Sequence, residues 1–392
     1  MKTITIKTSI LKDVMKKCNN CVKYAKNSST WVNKDYFLIR CINGMVIATV
    51  CADSDSMLDI KLDYEACDFD LSHDHFLFLL PLKRVNNLCK KIDVDEIVVS
   101  VDRDGVFIHF NTTKLKYSIE NTDMFCILNT GKCKNKMLVK FNGKTLLDAI
   151  NSCAFAMGVD DSRTFCNGML FRVEKDVLTL VATDACRLAH TAIKHESKDH
   201  EINTDYIIPR DTILLLQKLI SKDDEIGISI YGNDNKDIIK IECSNWGFYT
   251  DLIDTTYADY SRVIPVNNKQ TIKINTKDLK RLIEKVSIIG FNKYNEIKLR
   301  YVANTQLLTA KVINSDSDEI LDQINVIATS ESLPYINFRL NYKYLLEFTK
   351  NYAYDDFLFS WSDVGIECES SLLITSEQDT HYKYVVMPLR NH

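Results

Sequence analysis

Residues 4–22 read ITIKTSILKDVMKKCNNCV, an alternating apolar stretch that runs into a helical pattern with lysines on one side. The same arrangement returns at residues 138–157 and at residues 272–289. A period of about 130 residues is the length of a whole domain, not of a small solenoid repeat. The sequence therefore predicts three tandem copies of one domain, with boundaries at 1–135, 136–267 and 268–392.

Each copy contains a second passage from an apolar strand into a helix. The three passages begin at Leu79-Leu80-Pro81, Ile207-Ile208-Pro209 and Phe338-Arg339-Leu340. Between the helices the chain alternates as half-buried strands do, for example at residues 98–101, and turns such as Asp104-Gly105 separate the strands. The predicted fold class is α+β, with two helices packed on antiparallel sheets in each of three domains.

Composition excludes several classes of protein. The chain has 392 residues, of which 46% are hydrophobic and 26% charged, enough to bury two or three ordinary cores. Its 13 cysteines are an odd number scattered among apolar neighbours, and the N-terminus has no signal-peptide pattern. We therefore expect reduced thiols in a cytoplasmic protein. No apolar run approaches the ~18 residues of a membrane span, so no membrane partner is expected.

Basic residues concentrate in the six predicted helices, at 10–23, 81–92, 142–157, 209–222, 276–289 and 340–351. These windows carry far more Lys and Arg than Asp and Glu, whereas the whole chain has a net charge of −4. The third window is the exception, because it has only Lys144 against Asp148. Lysines are common on any solvated helix face, which is the alternative explanation. The functional interpretation is a surface that meets nucleic-acid phosphates without reading bases. The residues predicted to face DNA are Lys12, Lys16, Lys23, Lys83, Arg84, Lys91, Arg210, Lys218, Lys277, Lys280, Arg281 and Lys343.

Helix dimensions limit how such a surface could surround a duplex. Six helices packed ~8–10 Å apart span roughly 55 Å, and closing them into a ring leaves too narrow a bore for DNA roughly 20 Å across. Twelve helices leave a bore of roughly 35 Å. A ring of two chains joined head to tail is the simplest closure.

Five ordered segments resemble one protein family, the bacterial replicative sliding clamp or beta subunit of DNA polymerase III. They are NGMLF at 167–171, LTLVATDACRLA at 178–189, IIPR at 207–210, DYSRVIP at 259–265 and YVVMPLR at 384–390. Together with the threefold repeat, the resemblance covers the whole chain. It implies a homodimeric ring that encircles double-stranded DNA, has no catalytic activity and needs no cofactor or metal. The implied partners are the replicative DNA polymerase, the clamp loader complex and other clamp-binding repair or replication proteins.

The resemblance also implies an apolar cleft that binds short linear peptides of those partners. Small and apolar side chains would form the pocket, and arginines at its rim would meet an acidic or carboxylate-bearing peptide. The residues that correspond to the cleft are Cys166, Thr183, Ala185, Cys186, Arg187, Leu188, Ala258, Arg262, Val263, Val385, Val386, Met387, Pro388, Leu389 and Arg390.

This sequence departs from the family pattern at the cleft. Ala185-Cys186 replaces the usual Gly-His, Cys166 replaces a leucine, and Ala258 replaces a proline. We expect these changes to reshape the pocket and alter its peptide preference without removing it.

The subunit contact implied by the resemblance joins the first domain of one chain to the third domain of the other. The corresponding residues are Tyr117 and Ile119 on an edge strand, and Ile288 and Ile289 at the end of a helix. The contact would continue a sheet across the two subunits. Without the resemblance, the two isoleucines would be assigned to the core.

Patterns typical of enzymes are weak. Gly143-Lys144-Thr145 matches the end of a phosphate-binding loop, but Leu138 stands where the loop needs its first glycine. Cys18 and Cys21 form a C-x-x-C pair without a second pair at zinc-site spacing, so core packing is the expected role. His73-Asp74-His75 could bind a metal in principle, but two histidines two positions apart on a strand or loop are usually just exposed. The alternative function is a metal-dependent nuclease with Asp53, Asp55 and Asp184 around a metal.

Overall fold

The computed structural model describes residues 2–24, 34–42, 45–53, 56–67, 76–125, 127–128, 132–195, 203–233, 236–329, 334–362 and 365–390. Its helices are α1 (Thr8–Lys23), α2 (Leu82–Cys89), α3 (Gly143–Ala154), α4 (Arg210–Leu219), α5 (Thr276–Val286) and α6 (Tyr342–Asn351). Among the described residues, no helix is both long and apolar enough to cross a membrane.

The strands are short and follow one another in chain order. Those before α3 are β1 (Lys2–Lys7), β2 (Tyr36–Ile42), β3 (Met45–Asp53), β4 (Ser56–Lys61), β5 (Ala66–Cys67), β6 (Phe76–Pro81), β7 (Glu96–Asp102), β8 (Gly105–Phe110), β9 (Thr113–Tyr117) and β10 (Lys132–Asn142). Those between α3 and α5 are β11 (Gly168–Val173), β12 (Val177–Thr183), β13 (Arg187–Lys194), β14 (Thr204–Pro209), β15 (Glu225–Asn233), β16 (Lys236–Glu242), β17 (Trp246–Asp251) and β18 (Gln270–Asn275). The remaining strands are β19 (Glu296–Val302), β20 (Leu307–Ile313), β21 (Glu319–Asn325), β22 (Ile327–Ala328), β23 (Tyr335–Asn341), β24 (Asp356–Trp361), β25 (Leu372–Thr375) and β26 (Lys383–Val386).

The first compact unit comprises Met1–Leu147, His195–His200 and Asp211–Leu252. It contains a five-stranded sheet in the order β5-β1-β7-β8-β9 and an eight-stranded sheet in the order β10-β15-β16-β17-β4-β3-β2-β6. Every pairing in both sheets is antiparallel, as the alternating sequence pattern predicts. Helices α1 and α2 pack against each other and against these sheets.

The second compact unit comprises Asp148–Lys194, Glu201–Arg210 and Ile253–His392. Its nine-stranded sheet runs β14-β11-β12-β13-β26-β25-β24-β18-β22, and its four-stranded sheet runs β21-β20-β19-β23. Helices α5 and α6 pack against each other. The predicted α+β class, with helices on antiparallel sheets, is confirmed.

The large sheets join strands that the sequence assigns to different domains. In the first unit β4 pairs with β17, where Ile60 lies opposite Trp246. In the second unit β13 pairs with β26, where Leu188 lies opposite Val385. Since the strand pairing is continuous there, the two compact units do not follow the three predicted boundaries, and the three-domain division stays a prediction.

Helix ends follow the capping chemistry of the sequence. The Asn275 side chain accepts hydrogen bonds from the backbone N–H of Lys277 (3.1 Å) and Asp278 (3.2 Å), which begins α5. Asn341 caps α6 in the same way through the N–H of Lys343 (3.0 Å). After α5, one turn of 3-10 helix covers Ser287–Ile289 and leads to Gly290, whose φ of 79° ends the helical segment.

Candidate functional site

A cleft with a volume of about 150 Å³ lies within the second unit. One side is formed by the turn between β12 and β13, another by the segment after Tyr257, and a third by the end of β26. The lining residues are Phe165, Thr183, Ala185, Arg187, Leu188, Tyr257, Ala258, Asp259, Tyr260, Val263, Val385 and Met387. Most of these side chains are apolar or aromatic, so the cleft suits an apolar ligand group.

The floor of the cleft belongs to the core of the second unit. Leu188 and Val385 are neighbours across the β13–β26 pair, and both are buried. Tyr257 packs edge-on against Phe165 with ring centroids 5.4 Å apart, and its hydroxyl donates to the carbonyl of Val181 at 3.3 Å. Burial raises the pKa of Tyr257 well above its usual range. The floor is therefore rigid and uncharged.

The turn at Asp184 is held by side chains of its own residues. Thr183 donates its hydroxyl to the carbonyl of Arg187 at 2.6 Å. The Asp184 carboxylate accepts from the backbone N–H of Cys186 (2.9 Å) and of Arg187 (3.0 Å). Ala185, at the tip, has φ +65°, a left-handed conformation that favours glycine. This is the position at which the sequence departs from the family's Gly.

Arg187 lies in the wall of the cleft, where it is nearly buried and forms ion pairs with two carboxylates. Its Nε lies 2.9 Å from Asp184 Oδ2, and its Nη1 lies 2.5 Å from Glu347 Oε2 on α6. The guanidinium stacks 4.5 Å above the Tyr344 ring, and only 9% of the side chain is exposed. Burial lowers the pKa of Arg187. Tyr384 and the carboxylates of Glu347 and Asp184 raise this pKa by more, so the guanidinium stays charged.

The other arginines around the cleft also meet carboxylates. Arg262 pairs with Asp259 at 2.9 Å, and its side chain is 82% exposed. Arg163 donates to both oxygens of Asp161, at 2.9 and 2.8 Å. Arg172 donates to both oxygens of Asp205, also at 2.8 and 2.9 Å, and to the hydroxyl of Tyr260 at 3.3 Å, which fixes one lining ring.

The C-terminal segment is attached on two sides. The N–H of Met387 donates to the carbonyl of Cys186 at 2.9 Å, and the N–H of Leu389 donates to the carbonyl of Arg339 at 2.7 Å. The first bond extends the pairing of β26 with β13, and the second attaches the segment to β23. Met387 therefore stays at the mouth of the cleft, with 40% of its surface exposed.

The structure brings together eight of the predicted cleft residues as lining. They are Thr183, Ala185, Arg187, Leu188, Ala258, Val263, Val385 and Met387. The other predicted residues do not line the cavity: Cys166 and Val386 are fully buried, whereas Cys186, Arg262, Pro388, Leu389 and Arg390 lie nearby outside it. Sequence reasoning missed Phe165, Tyr257, Asp259 and Tyr260. Three of these four are aromatic, a residue type common in ligand pockets, and all lie within or next to the quoted motifs.

Most residues predicted to face DNA lie on solvent-exposed sides of helices or just after them. Arg210 and Lys280 are half-buried; the other ten are exposed. Some already have acceptors: Lys83 pairs with Asp35 at 3.2 Å, and Lys277 pairs with Asp355 at 2.9 Å. Lys12 donates to the carbonyl of Ile92 at 3.3 Å.

The residues predicted for the subunit contact lie at sheet edges and a helix end. Tyr117 is the last residue of β9, the edge strand of the five-stranded sheet, and Ile119 follows it with 53% of its surface exposed. Ile288 lies in the 3-10 turn after α5 and is 78% exposed, while Ile289 is half-buried. An isoleucine this exposed is unusual for a core residue, contrary to the assignment that the pattern alone suggests.

The residues considered for catalysis or metal binding do not assemble into a site among the described residues. No group of three His, Cys, Asp or Glu side chains there could hold a metal ion. Asp184 is engaged by the turn and by Arg187, and Cys18 and Cys21 are buried on the apolar side of α1. Burial raises the pKa of the Cys18 thiol to about 12. The histidines at 73 and 75, Asp55 and the side chain of Asp53 lie outside the described residues.

Two family models match the chain between residues 140 and 390. The chain matches the family model for the central domain of the DNA polymerase III beta subunit over residues 140–259. It matches the model for the C-terminal domain of the same subunit over residues 261–390.

Curated relatives carry the name beta sliding clamp. The protein from Haemophilus influenzae is 26% identical over 336 residues, which is 85% of this chain and 87% of that protein. The one from Vibrio cholerae is 24% identical and covers 79% of this chain and 81% of its own length.

Solved structures share the fold. The DNA polymerase III beta subunit of Pseudomonas aeruginosa superposes with a TM-score of 0.85 at 21% identity, covering 99% of this chain and all of that one. The subunit of Thermotoga maritima gives 0.84 at 18% identity, with both chains covered completely. Another structure of the Pseudomonas aeruginosa clamp, described as bound to griselimycin, gives 0.85 at 22% identity and covers both chains completely.

The two family models follow each other in chain order and together match well over half of the sequence. The chain therefore belongs to the family of the DNA polymerase III beta subunit, the bacterial beta sliding clamp.

Proposed function

We propose that two copies of this chain close head to tail into a ring around duplex DNA and that the ring acts as a processivity factor for a replicative DNA polymerase. The observation that carries the proposal is family membership along the chain, since clamp relatives align with about four fifths of it. The ring, the homodimer and the partner proteins are separate parts of the proposal. Residues of this chain support each of them.

Sheet edges support closure by two copies. Strand β9 carries Lys114 and Lys116 and forms one edge of its sheet. Strand β21 carries Glu319 and Asp322 and forms an edge of the four-stranded sheet. Unpaired strand edges readily accept another strand. Glu319 and Asp322 already pair with Lys311 and Lys285 within the chain, so the backbone edges, more than these charges, support the pairing. The exposed apolar residues Ile119, Ile288 and Leu321 would be buried by such a contact.

Basic helices support contact with DNA. Exposed lysines and arginines on α1, α2, α4, α5 and α6 could neutralise phosphates in a chain that is acidic overall. Contacts of this kind carry no sequence information, so they permit sliding. The third helix stays the exception that its sequence indicated.

The cleft supports tethering of partners. We propose that the replicative polymerase, the clamp loader complex and other replication or repair proteins insert an extended peptide into it. Its apolar floor and its volume suit one or two large apolar side chains. No reaction is assigned to it, and the nuclease alternative has no supporting site among the described residues.

Retention on DNA of different topology tests the ring. Purified protein would be loaded with a clamp loader onto nicked circular plasmid, separated by gel filtration, and compared before and after linearisation of the DNA. We expect retention on circles and loss from linear DNA, because a ring slides off free ends. Equal retention on both would contradict a topological link. Magnesium-dependent cleavage of the plasmid would favour the nuclease instead.

A further inference from the structure

Four arginines in or beside the cleft have charges that are already matched within the chain, and the exposed Arg390 lies outside the cavity. Arg163, Arg172 and Arg262 each donate to a carboxylate at 2.8–2.9 Å. Arg187, the cation among the lining residues, has two carboxylate partners, Asp184 and Glu347. The wall of the cleft therefore offers no unpaired cation to a peptide carboxylate.

Arg187 is the least available of these groups. With 9% of its side chain exposed, it is fixed by Asp184 on one edge, Glu347 on another and the Tyr344 ring on its face. A peptide carboxylate could reach the guanidinium only by displacing a carboxylate of the protein, so one charge-assisted hydrogen bond would replace another. It would also approach Glu347, whose side chain is 43% exposed, and would meet like-charge repulsion there.

We propose that Glu347 sets the charge selectivity of the cleft by occupying the Arg187 guanidinium, so that an uncharged apolar peptide binds at least as tightly as an acidic one. The inference rests on the proposed function of the cleft and deepens it. The occupant is an extended peptide with one or two large apolar side chains, recognised through those side chains and its backbone. Arg187 then acts as a positioning residue that links the Asp184 turn to α6.

Two matched peptides test the inference on the full-length protein. The probes are acetyl-Ala-Leu-Asn-Leu-Phe-amide and the same peptide with Asp in place of Asn, each labelled with a fluorophore. Their dissociation constants would be measured by fluorescence anisotropy between about 0.05 and 0.5 M NaCl. We expect the Asp peptide to bind no tighter than the Asn peptide, with little salt dependence for either, because Arg187, the cation that lines the cavity, is already paired.

Variants at Glu347 locate the effect. In Glu347→Ala, Arg187 Nη1 loses its acceptor while Asp184 still accepts from Nε. The affinity for the Asp peptide should therefore rise at least fivefold relative to the affinity for the Asn peptide. Glu347→Gln keeps the side-chain shape and should give a smaller gain in the same direction. Glu377→Ala is the matched control, because Glu377 is an exposed glutamate of the same unit that pairs with Lys273 at 2.8 Å. It should leave the ratio of the two affinities unchanged.

The outcomes separate the two proposals. A native protein that binds the Asp peptide tenfold tighter, with affinity falling steeply in salt, would overturn the role of Glu347. An unchanged ratio in folded Glu347→Ala and Glu347→Gln would do the same. Failure of both peptides to bind any variant would reject peptide binding in the cleft and the charge inference with it. Retention on circular DNA would still test the ring separately.

Discussion

In the turn at Asp184, between β12 and β13, one residue is strained and another balances a buried charge. Ala185 lies in the left-handed region without a polar side chain, whereas the other described non-glycine residues with positive φ are Asn111, Asp160, Asn295, Gln306 and Ser317. Asn and Asp tolerate this conformation through local hydrogen bonds, and alanine does not. The family's glycine at this position would adopt it without strain.

We expect Ala185→Gly to stabilise the protein. Removing the Cβ relieves about 1–2 kcal/mol of left-handed strain, and the greater freedom of glycine in the unfolded chain offsets about 0.5–1 kcal/mol of it. The net gain, up to about 1.5 kcal/mol, would appear as a higher urea midpoint by circular dichroism. Ala192→Gly, in the middle of β13, is the control and should lower the midpoint. A lower midpoint for Ala185→Gly would mean that the turn is not strained.

Asp161 should give the loop beside the cleft a pH-dependent contribution to stability. Hydrogen bonds from the Arg163 side chain and backbone lower the pKa of Asp161 to about 2. Because the carboxyl has a lower pKa in the folded than in the unfolded state, its contribution is present above pH about 4 and is lost as the pH falls toward 2. The difference in urea midpoint between native protein and Asp161→Asn should therefore be constant near neutral pH and shrink in acid.

Arg163→Gln provides the companion measurement for Asp161. Without the guanidinium, the carboxyl should titrate closer to its ordinary range, so adding Asp161→Asn to Arg163→Gln should produce a smaller pH-dependent difference. A difference that persists unchanged to the lowest pH measured would assign the stability to the loop's other bonds, such as Asn167 Nδ2 to the carbonyl of Asp161 at 2.8 Å.

At the scale of elements, hydrophobic periodicity predicted where helices lie better than where they end. The predicted window 276–289 contains α5, which ends at Val286 because the chain continues as a 3-10 turn. The window 81–92 contains α2, which ends at Cys89. After α2, Ile92 still buries its side chain although it lies beyond the helix, whereas after α5 the isoleucines of the 3-10 turn continue the apolar spacing although neither is fully buried.

Pairings between distant strands could not be predicted from the pattern. Alternation indicates that β13 and β26 are strands, but nothing local says that residues about 200 positions apart in sequence lie side by side. The Arg187–Glu347 pair depends on that placement of distant segments, since the two residues are 160 positions apart. Resemblance to a family indicated which segments form the cleft. That Glu347 pairs with Arg187 could be seen only in the structure.

The cationic face of α5 gives a prediction for DNA binding. Replacing Lys277, Lys280 and Arg281 together by Gln should weaken binding of a 30-base-pair duplex and reduce its salt dependence. Each phosphate that the protein no longer neutralises lowers the slope of log K against log salt by about 0.9, so the slope should fall by up to roughly 3. Fluorescence anisotropy over a range of salt concentrations measures this slope.

The control for α5 makes the same change of charge on strands. Lys298 and Arg300 on β19 and Lys311 on β20 lie outside the helices, and replacing all three by Gln also removes three positive charges. A slope that falls equally in both triple variants would show that overall charge, and not the helix face, governs binding. The helix proposal would then be wrong.

At the scale of the whole molecule, the charge pattern and the sheet edges point to one assembly. Basic helices in a chain that is acidic overall suit contact with a polyanion, and in the proposed ring a single chain would have too few helices to surround a duplex. In the proposed ring, the β9 edge of one copy would join the β21 edge of the other.

Ring closure should fail when a charge is placed in its apolar contact. Ile288 is 78% exposed, and we expect Ile288→Lys to bury an unpaired ammonium at the subunit contact and to convert the dimer into monomer. Light scattering should then give 45.1 kDa in place of twice that mass. Ile366→Lys, at an isoleucine 54% exposed in the same unit, should remain a dimer. If Ile288→Lys stays dimeric at every concentration, the subunits join elsewhere, because a lysine buried at that contact would separate them.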